Sequence, residues 1–302
     1  MSYGVLGVSL GSSGQFSGST QVYGLIGYPV DHSLSPTIQN AAFRCARINA
    51  AYLAFPVQAD ELKSAIHGLK SLKVSGFNVT TPHKMRVLSY LDEVETEAAE
   101  IGSINTVKNE KNELTGFNTD GIGALNAMEE AGIRPDGQSI LILGAGGAGR
   151  VIASALAGRD CSLKLANRTF FNARRLARSL YGKSGLRPEV IPLSRKPLHH
   201  AVSRVDIILN ASSMGMGGKH NPPIDKKWIR RDHCVFDVVY KPVQTKLLKD
   251  AASAGARTIT GLDMLVNQGA CSFTLWTGKK ARIDVMRRAM AKKLSRENDA
   301  NR

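Results

Sequence analysis

No Lys or Arg precedes Arg44, so the opening segment lacks the positive end and long apolar stretch of a secretory signal. Cysteine is sparse: Cys45, Cys161, Cys234 and Cys271 stand far apart, with no CxxC pair. That spacing excludes a zinc-type site and a disulfide framework, and it fits free thiols in a reducing cytosol. The seven His include no HExxH pair, and no metal site is expected. No apolar run approaches the ~20 residues that a bilayer span requires, so no membrane partner is expected. Aromatics are few, with two Trp and seven Tyr, and no RNP-like or helix-turn-helix pattern occurs. A nucleic-acid partner is therefore not expected, despite the charge described next.

What the chain does contain is a basic excess. It has 302 residues, with 40 Lys+Arg against 25 Asp+Glu, a formal charge of +15. Residues 1–120 carry 9 basic and 11 acidic side chains, whereas residues 121–302 carry 31 and 14. An excess of this sign suits polyanions or phosphorylated ligands, and all of it lies in the second half. The hydrophobic fraction of 43% is that of a globular protein, and the length suggests about two domains. Residues 1–20 hold six Ser and five Gly and are read as a flexible extension.

Strands and helices alternate from there. Val22–Gly27 predicts a strand, and Pro36 to Ile48 a helix with Ser35 as its N-cap. A strand within Asn49–Val57, a helix over Asp60–Leu72, a strand over Gly76–Thr80 and a helix from Pro82 to about Leu91 follow. Further on, a helix over Gly121–Ala131 leads to the apolar strand Ser139–Leu143, suited to burial on both faces. Later strands are expected at Ser162–Ala166, Val205–Asn210, Cys234–Val239 and Arg257–Thr260, and helices at Met264–Trp276 and Ile283–Leu294. Residues 295–302 are read as frayed. The alternation predicts an α/β fold with largely parallel sheet.

The strand Ser139–Leu143 runs directly into Gly144-Ala145-Gly146-Gly147-Ala148-Gly149 and then a helix, the setting of a dinucleotide-binding turn. Gly144 allows the tight turn, Gly146 lets backbone approach a pyrophosphate, and Gly149 lets helix and strand pack closely. The pyrophosphate would rest on the positive end of the helix. At the end of the next strand an NAD site normally carries Asp or Glu. Here Asn167-Arg168-Thr169 stands instead, with no carboxylate to repel a 2′-phosphate and a guanidinium to bind it. NADP is the expected cofactor.

Three polar clusters in the first half fall at strand ends or loops: Ser33-Leu34-Ser35-Pro36, Asn78 to Lys84, and Asn105 with Asn118-Thr119-Asp120. Their hydroxyls, amides, one Lys and one Asp would suit a polyhydroxylated small molecule. Reducing a ketone requires hydride on carbon and a proton on oxygen, and an ammonium near the carbonyl can stabilise the alkoxide and donate that proton.

Together these segments resemble the shikimate dehydrogenase family. The resemblance rests on GYPVDHSLSP (27–36), GFNVTTPHK (76–84), GSINTV (102–107), GFNTDG (116–121), GAGGAG (144–149), NRT (167–169), NASSMGM (210–216), DVVY (237–240) and GLDMLVNQGA (261–270). They occur in the family's order over residues 22 to about 290. The resemblance implies two α/β domains: an N-terminal substrate domain with mostly parallel sheet, and a Rossmann-type NADP-binding domain, with a cleft between them. Residues 21–121 plus 262–302 would form the first and 122–261 the second.

The resemblance further implies reversible NADPH-dependent reduction of 3-dehydroshikimate to shikimate, on the way to chorismate and aromatic amino acids. The quinate/shikimate dehydrogenases, using NAD or NADP, are the alternative within the same superfamily. Lys84 and Asp120 match the catalytic pair. Ser33 and Ser35 match the pair that binds the substrate carboxylate, with Thr80, Asn105, Tyr240 and Gln268 as further substrate contacts. Gly144, Ala145, Gly146, Gly147, Ala148, Asn167, Arg168, Thr169, Asn172, Val238 and Gly261 are the implied cofactor contacts. A cytoplasmic monomer or homodimer is expected. Two positions depart from the family: Asn172 replaces a frequent second basic residue, and Asp263, read as an N-cap, replaces a frequent Gly.

Overall fold

The computed structural model describes residues 16–218 and 220–300. Its strands are β1 (Gln21–Gly27), β2 (Ala50–Pro56), β3 (Gly76–Val79), β4 (Glu93–Val94), β5 (Thr106–Glu110), β6 (Glu113–Phe117), β7 (Ser139–Leu143), β8 (Ser162–Ala166), β9 (Glu189–Ile191), β10 (Ile207–Asn210), β11 (Cys234–Asp237) and β12 (Arg257–Thr260). The α-helices are α1 (Ser35–Cys45), α2 (Leu62–Ser71), α3 (Thr96–Ile101), α4 (Asp120–Glu130), α5 (Gly147–Ala157), α6 (Phe170–Ser184), α7 (Arg195–Val202), α8 (Lys246–Ser253), α9 (Gly261–Thr277) and α10 (Ile283–Ala300).

Two six-stranded sheets result, ordered β2-β1-β3-β5-β6-β4 and β12-β11-β10-β7-β8-β9. The second is parallel throughout. Its central strand β7 is buried on both faces, Ile140 and Ile142 toward one core and Leu141 and Leu143 toward the other, as a doubly covered parallel strand requires. The first sheet is mostly parallel, as expected, with β1 parallel to β2 and β3 and β4 parallel to β6; the exception is β5, which pairs antiparallel with β3 and with β6. The β5–β6 hairpin turns through Lys111 and Asn112, at φ 50° and 68°. A turn with both central residues left-handed matches the twist of a tight hairpin. Without a glycine there, the sequence carries no hairpin signal.

The antiparallel insertion has a positional consequence. Asn78 lies opposite Thr106, and Thr106 opposite Phe117. The start of β5 and the end of β6 therefore reach the same sheet edge as the end of β3. Asn105, Asp120 and Thr80 meet there although they come from different segments.

Helix α9 returns to the first sheet. Val266, Phe273 and Trp276 join Tyr23, Phe43 and Tyr52 in one core, with Tyr23 and Phe43 stacked at 4.8 Å and Trp276 5.1 Å from Tyr23. The Trp276 indole donates to the Val107 carbonyl at 3.0 Å, as a buried indole N–H must find an acceptor. Asp263 is not the N-cap of α9. Thr260 is, and Asp263 sits three residues on in a capping box: Asp263 Oδ2 accepts from the Thr260 N–H (3.0 Å) while Thr260 Oγ1 accepts from the Asp263 N–H (3.3 Å). Asp263→Ala is expected to cost about 1 kcal/mol and to lower the melting temperature by about 2 °C, as read by calorimetry.

Several elements differ from their expected bounds. Helix α1 starts at Ser35, one residue early, and the Ser35 side chain makes no cap. Instead the Ser35 N–H donates to Ser33 Oγ at 3.2 Å. The helix expected over 82–91 is only a short 3-10 turn at Val87–Tyr90. The Lys84 carbonyl instead accepts from the Ile104 N–H at 2.8 Å, which ties this segment to the start of the β5 strand. Residues 295–300, read as frayed, continue α10, and 301–302 lie outside the described residues. Of the expected extension, residues 1–15 lie outside the described residues. Residues 17–20 form a turn whose Thr20 hydroxyl donates to Asn49 Oδ1 at 2.9 Å. Among the described residues no helix is long and apolar enough to cross a membrane.

Candidate active site

The site lies outside the carboxyl ends of the parallel strands, where open α/β sheets place ligands. Thr80 follows β3, Gly144 follows β7, Asn167 follows β8 and Val238 follows β11. Ser33, Ser35, Thr80, Lys84, Asn105, Asp120, Tyr240 and Gln268 all line one chamber of about 280 Å³. That is close to the lower end of the ~300–1,000 Å³ range of small-molecule pockets. Among the described residues, Asp120 is the sole acidic one that lines the chamber.

Lys84 Nζ donates to Asp120 Oδ2 at 2.5 Å. Asp120 Oδ1 accepts from Asn105 Nδ2 at 2.7 Å, so the carboxylate is held from both sides. The pair is partly shielded, with side-chain exposures of 30% for Lys84 and 11% for Asp120. Shielding of this degree strengthens its electrostatics relative to a surface pair. The backbone beneath Lys84 is pinned by its bond from Ile104 and by the neighbouring His83, whose Nε2 donates to the Val57 carbonyl at 2.7 Å. Gln268 Oε1 lies 3.3 Å from Asn105 Nδ2. It reaches that place because Gly123 lets α4 press against the α9 backbone, where a Cβ would strike Gln268. Burial pushes the Tyr240 phenol above its ordinary range, which keeps it a neutral hydrogen-bonding group.

A larger trough of about 1060 Å³ opens from the chamber and shares Thr80, Lys84, Ala148, Val238 and Tyr240 with it. Gly144, Gly146, Gly147, Asn167, Arg168, Thr169 and Asn172 line the trough. Two expected cofactor residues fall elsewhere. Ala145 is buried and lines neither cavity; its N–H donates to Asn167 Oδ1 at 3.1 Å. Gly261 lines the chamber instead. Asn167 also donates from Nδ2 to the Thr169 carbonyl at 2.9 Å, and so ties the glycine turn to the NRT segment.

The trough fits a dinucleotide phosphate. Gly144 holds φ +111°, a conformation that side chains disfavour. At Gly149 a Cβ would overlap the Gly144 carbonyl, whereas Gly146 and Gly147 face open space at the start of α5. Among the described residues no Asp or Glu lines the trough, while Arg168, Lys84 and Lys241 do. Arg174, on the exposed face of α6, stacks 5.3 Å from the Phe170 ring and does not line it.

Some site residues were not singled out from the sequence. Lys241 lines both cavities, and its position directly after Tyr240 was the available signal. Asp237, fully buried, accepts from Asn210 Nδ2 (2.8 Å), the Val239 N–H (3.1 Å) and Thr245 Oγ1 (2.7 Å), and so fixes the loop that carries Val238 and Tyr240. Burial pushes its carboxyl up, against the pull of those bonds. Among the described residues no group of three or more His, Cys, Asp or Glu could hold a metal.

The chain is similar to known proteins. Residues 25–107 match the shikimate dehydrogenase substrate binding domain, 127–230 the shikimate / quinate 5-dehydrogenase model, and 261–291 the shikimate 5′-dehydrogenase C-terminal domain. A shikimate dehydrogenase (NADP(+)) of Moorella thermoacetica is 46% identical over 278 residues, covering 91% of this chain and 94% of that protein. One from Thermococcus kodakarensis is 46% identical over 276 residues, covering 91% and 98%. Among solved structures, a shikimate dehydrogenase in complex with NADP+ superposes with a TM-score of 0.87 at 41% identity, covering 93% of this chain and 98% of that one.

Proposed function

The chain belongs to the shikimate dehydrogenase family, and from that premise we propose how its residues divide the work. It is an NADP-dependent oxidoreductase that interconverts 3-dehydroshikimate and shikimate, a step towards chorismate and the aromatic amino acids. The observation that carries the assignment of roles is the Lys84–Asp120 pair at 2.5 Å, in which Asp120 lines the chamber and Lys84 lines both chamber and trough.

Ser33 and Ser35 bind the substrate carboxylate, with hydroxyls at the start of α1. Thr80, Asn105, Tyr240 and Gln268 contact the ring substituents. When bound, NADPH supplies the hydride for the carbonyl carbon. Lys84 stabilises the alkoxide that develops on oxygen and gives it a proton from Nζ. In the oxidative direction neutral Lys84 takes the proton from the substrate hydroxyl. Asp120 holds Lys84 in place and accepts from a neighbouring hydroxyl of the substrate. Gly144, Gly146, Gly147 and Ala148 cradle the pyrophosphate, and Arg168 with Thr169 and Asn172 takes the 2′-phosphate.

In this reading residues 21–121 plus 262–302 form the substrate domain and 122–261 the nucleotide domain. The pairing of α9 with the core of the first sheet supports that division. The enzyme works in the cytoplasm as a monomer or homodimer on its small-molecule substrate, without nucleic acid or membrane. The free thiols Cys45, Cys161, Cys234 and Cys271 suit a reducing compartment. The test is nicotinamide absorbance with shikimate plus NADP, and then with quinate plus NAD. The first pair is expected to turn over fastest. Faster turnover of quinate with NAD would assign the chain to the quinate branch instead.

A further inference from the structure

We propose that Ser272 is a positioning residue for the proton-transfer pair, a buried hydroxyl on α9 that sets Asn105 and, through Asn105, Asp120 and Lys84. The inference rests on the reading of Lys84 and Asp120 given above.

Ser272 is completely buried and faces polar atoms on every side. Its Oγ lies 2.8 Å from Thr106 Oγ1, 3.0 Å from Asn78 Nδ2, 3.2 Å from Thr119 Oγ1 and 3.1 Å from the Gln268 carbonyl. A hydroxyl has one proton and two lone pairs. The Gln268 carbonyl can only accept, so the Ser272 proton goes to it. The lone pairs then receive the Asn78 amide and the Thr119 hydroxyl, since the Thr106 proton is committed to Asn105 Oδ1. Every capacity of this one side chain is used.

The partners of Ser272 are the groups that hold Asn105. Asn105 Oδ1 accepts from the Thr119 N–H at 2.8 Å and from Thr106 Oγ1 at 2.9 Å. With its oxygen taken by donors, the Asn105 amide has one orientation, which turns Nδ2 toward Asp120 Oδ1 at 2.7 Å. Asn78 is fixed in the same way, since the Tyr52 hydroxyl donates to its Oδ1 at 2.7 Å while its Nδ2 donates to the Asn105 carbonyl at 3.0 Å. Removing the Ser272 oxygen leaves the Asn78 amide with the Asn105 carbonyl and Thr106 Oγ1, each at 3.0 Å, but takes the acceptor of the buried Thr119 hydroxyl. That hydroxyl turns to Asn105 Oδ1 or Gln268 Oε1, 3.2 and 3.4 Å away, and the orientation of Asn105 against Asp120 is lost. Buried networks of this kind respond as units rather than as separate bonds.

The experiment is steady-state kinetics with shikimate and NADP for wild type, Ser272→Ala, Asn105→Ala and the double variant. Ser272→Ala is expected to lower kcat about tenfold, the loss of one hydrogen bond's worth of positioning, and to displace the pH profile of kcat. The KM values for shikimate and NADP are expected to stay within about twofold. In the Asn105→Ala background Ser272→Ala is expected to cost no further kcat, because both changes break one network. Thr106→Val approaches the same node from the sheet and is expected to reproduce the effect if Ser272→Ala does not fold. An unchanged kcat and pH profile in these variants, or losses that multiply in the double variant, overturns the positioning role. Wild type inactive on shikimate overturns the reading of the site as well, so the two failures are distinct.

Discussion

Lys84→Ala is expected to lower kcat by about 10²–10⁴-fold, the usual contribution of a positioned acid–base group, while the KM for shikimate changes little. The split follows from where Lys84 sits. Its Nζ is committed to Asp120 at 2.5 Å, and Ser33, Ser35 and Gln268 remain in the chamber to bind substrate. What the variant loses is the stabilisation of charge on the carbonyl oxygen, which exists only in the transition state. An interaction made only there affects kcat and kcat/KM equally. Asp120 loses one partner but keeps Asn105 at 2.7 Å, so the chamber wall survives. Measured turnover near wild type, with only a raised KM, would remove Lys84 from the proton-transfer role. Asp120→Asn is a useful companion, since its amide would present a donor to the Lys84 ammonium and misplace it.

The second large effect concerns cofactor choice. Arg168→Ala is expected to reduce kcat/KM for NADP by about 10–100-fold, in line with loss of charge-assisted hydrogen bonds worth ~1.5–3 kcal/mol. The value for NAD is expected to move little. Arg168 is exposed and makes no hydrogen bond or ion pair to protein among the described residues, so all its donors are free for a phosphate. Asn172 lines the trough too, but it carries no charge, and Arg174 is occupied with Phe170. Discrimination is thus expected to fall mainly on one guanidinium. Initial rates with both cofactors decide the matter; equal losses for NADP and NAD would show that Arg168 supports the loop rather than reading the phosphate.

The dinucleotide turn was legible in the sequence because its chemistry is local: an apolar strand, glycines at fixed offsets and the residue after the next strand lie in one continuous stretch. The polar clusters of the first half were legible as residue types. Their convergence was not, since it depends on the antiparallel β5–β6 hairpin, whose Lys111-Asn112 turn lacks glycine. Ser272 was invisible for a related reason. One serine on the apolar helix α9 looks like a filler until Asn78, Thr106 and Thr119 arrive around it. The expected helix over 82–91 is only a short turn, and propensity ignores the Ile104 bond that ties the Lys84 carbonyl to the start of β5. Asp263 was read as a cap of α9 and does cap it, from the third position rather than the first.

The return of α9 to the first sheet bears on how the enzyme comes into being on the ribosome. A nascent chain that has emerged only as far as residue 260 already holds Lys84, Asp120 and the whole parallel sheet of the nucleotide trough. It lacks Gln268 and Ser272, and its Tyr23–Phe43 cluster has no Val266, Phe273 or Trp276 to cover it. Domains generally fold as units as they emerge, and uncovered apolar surface favours aggregation. The core that α9 covers on the first sheet therefore stays open while the residues of the second sheet are synthesised. A truncation before α9 is then worse than a loss of sequence: it yields a chain that keeps Lys84 and Asp120 but lacks Gln268, Ser272 and the cover of its Tyr23–Phe43 cluster.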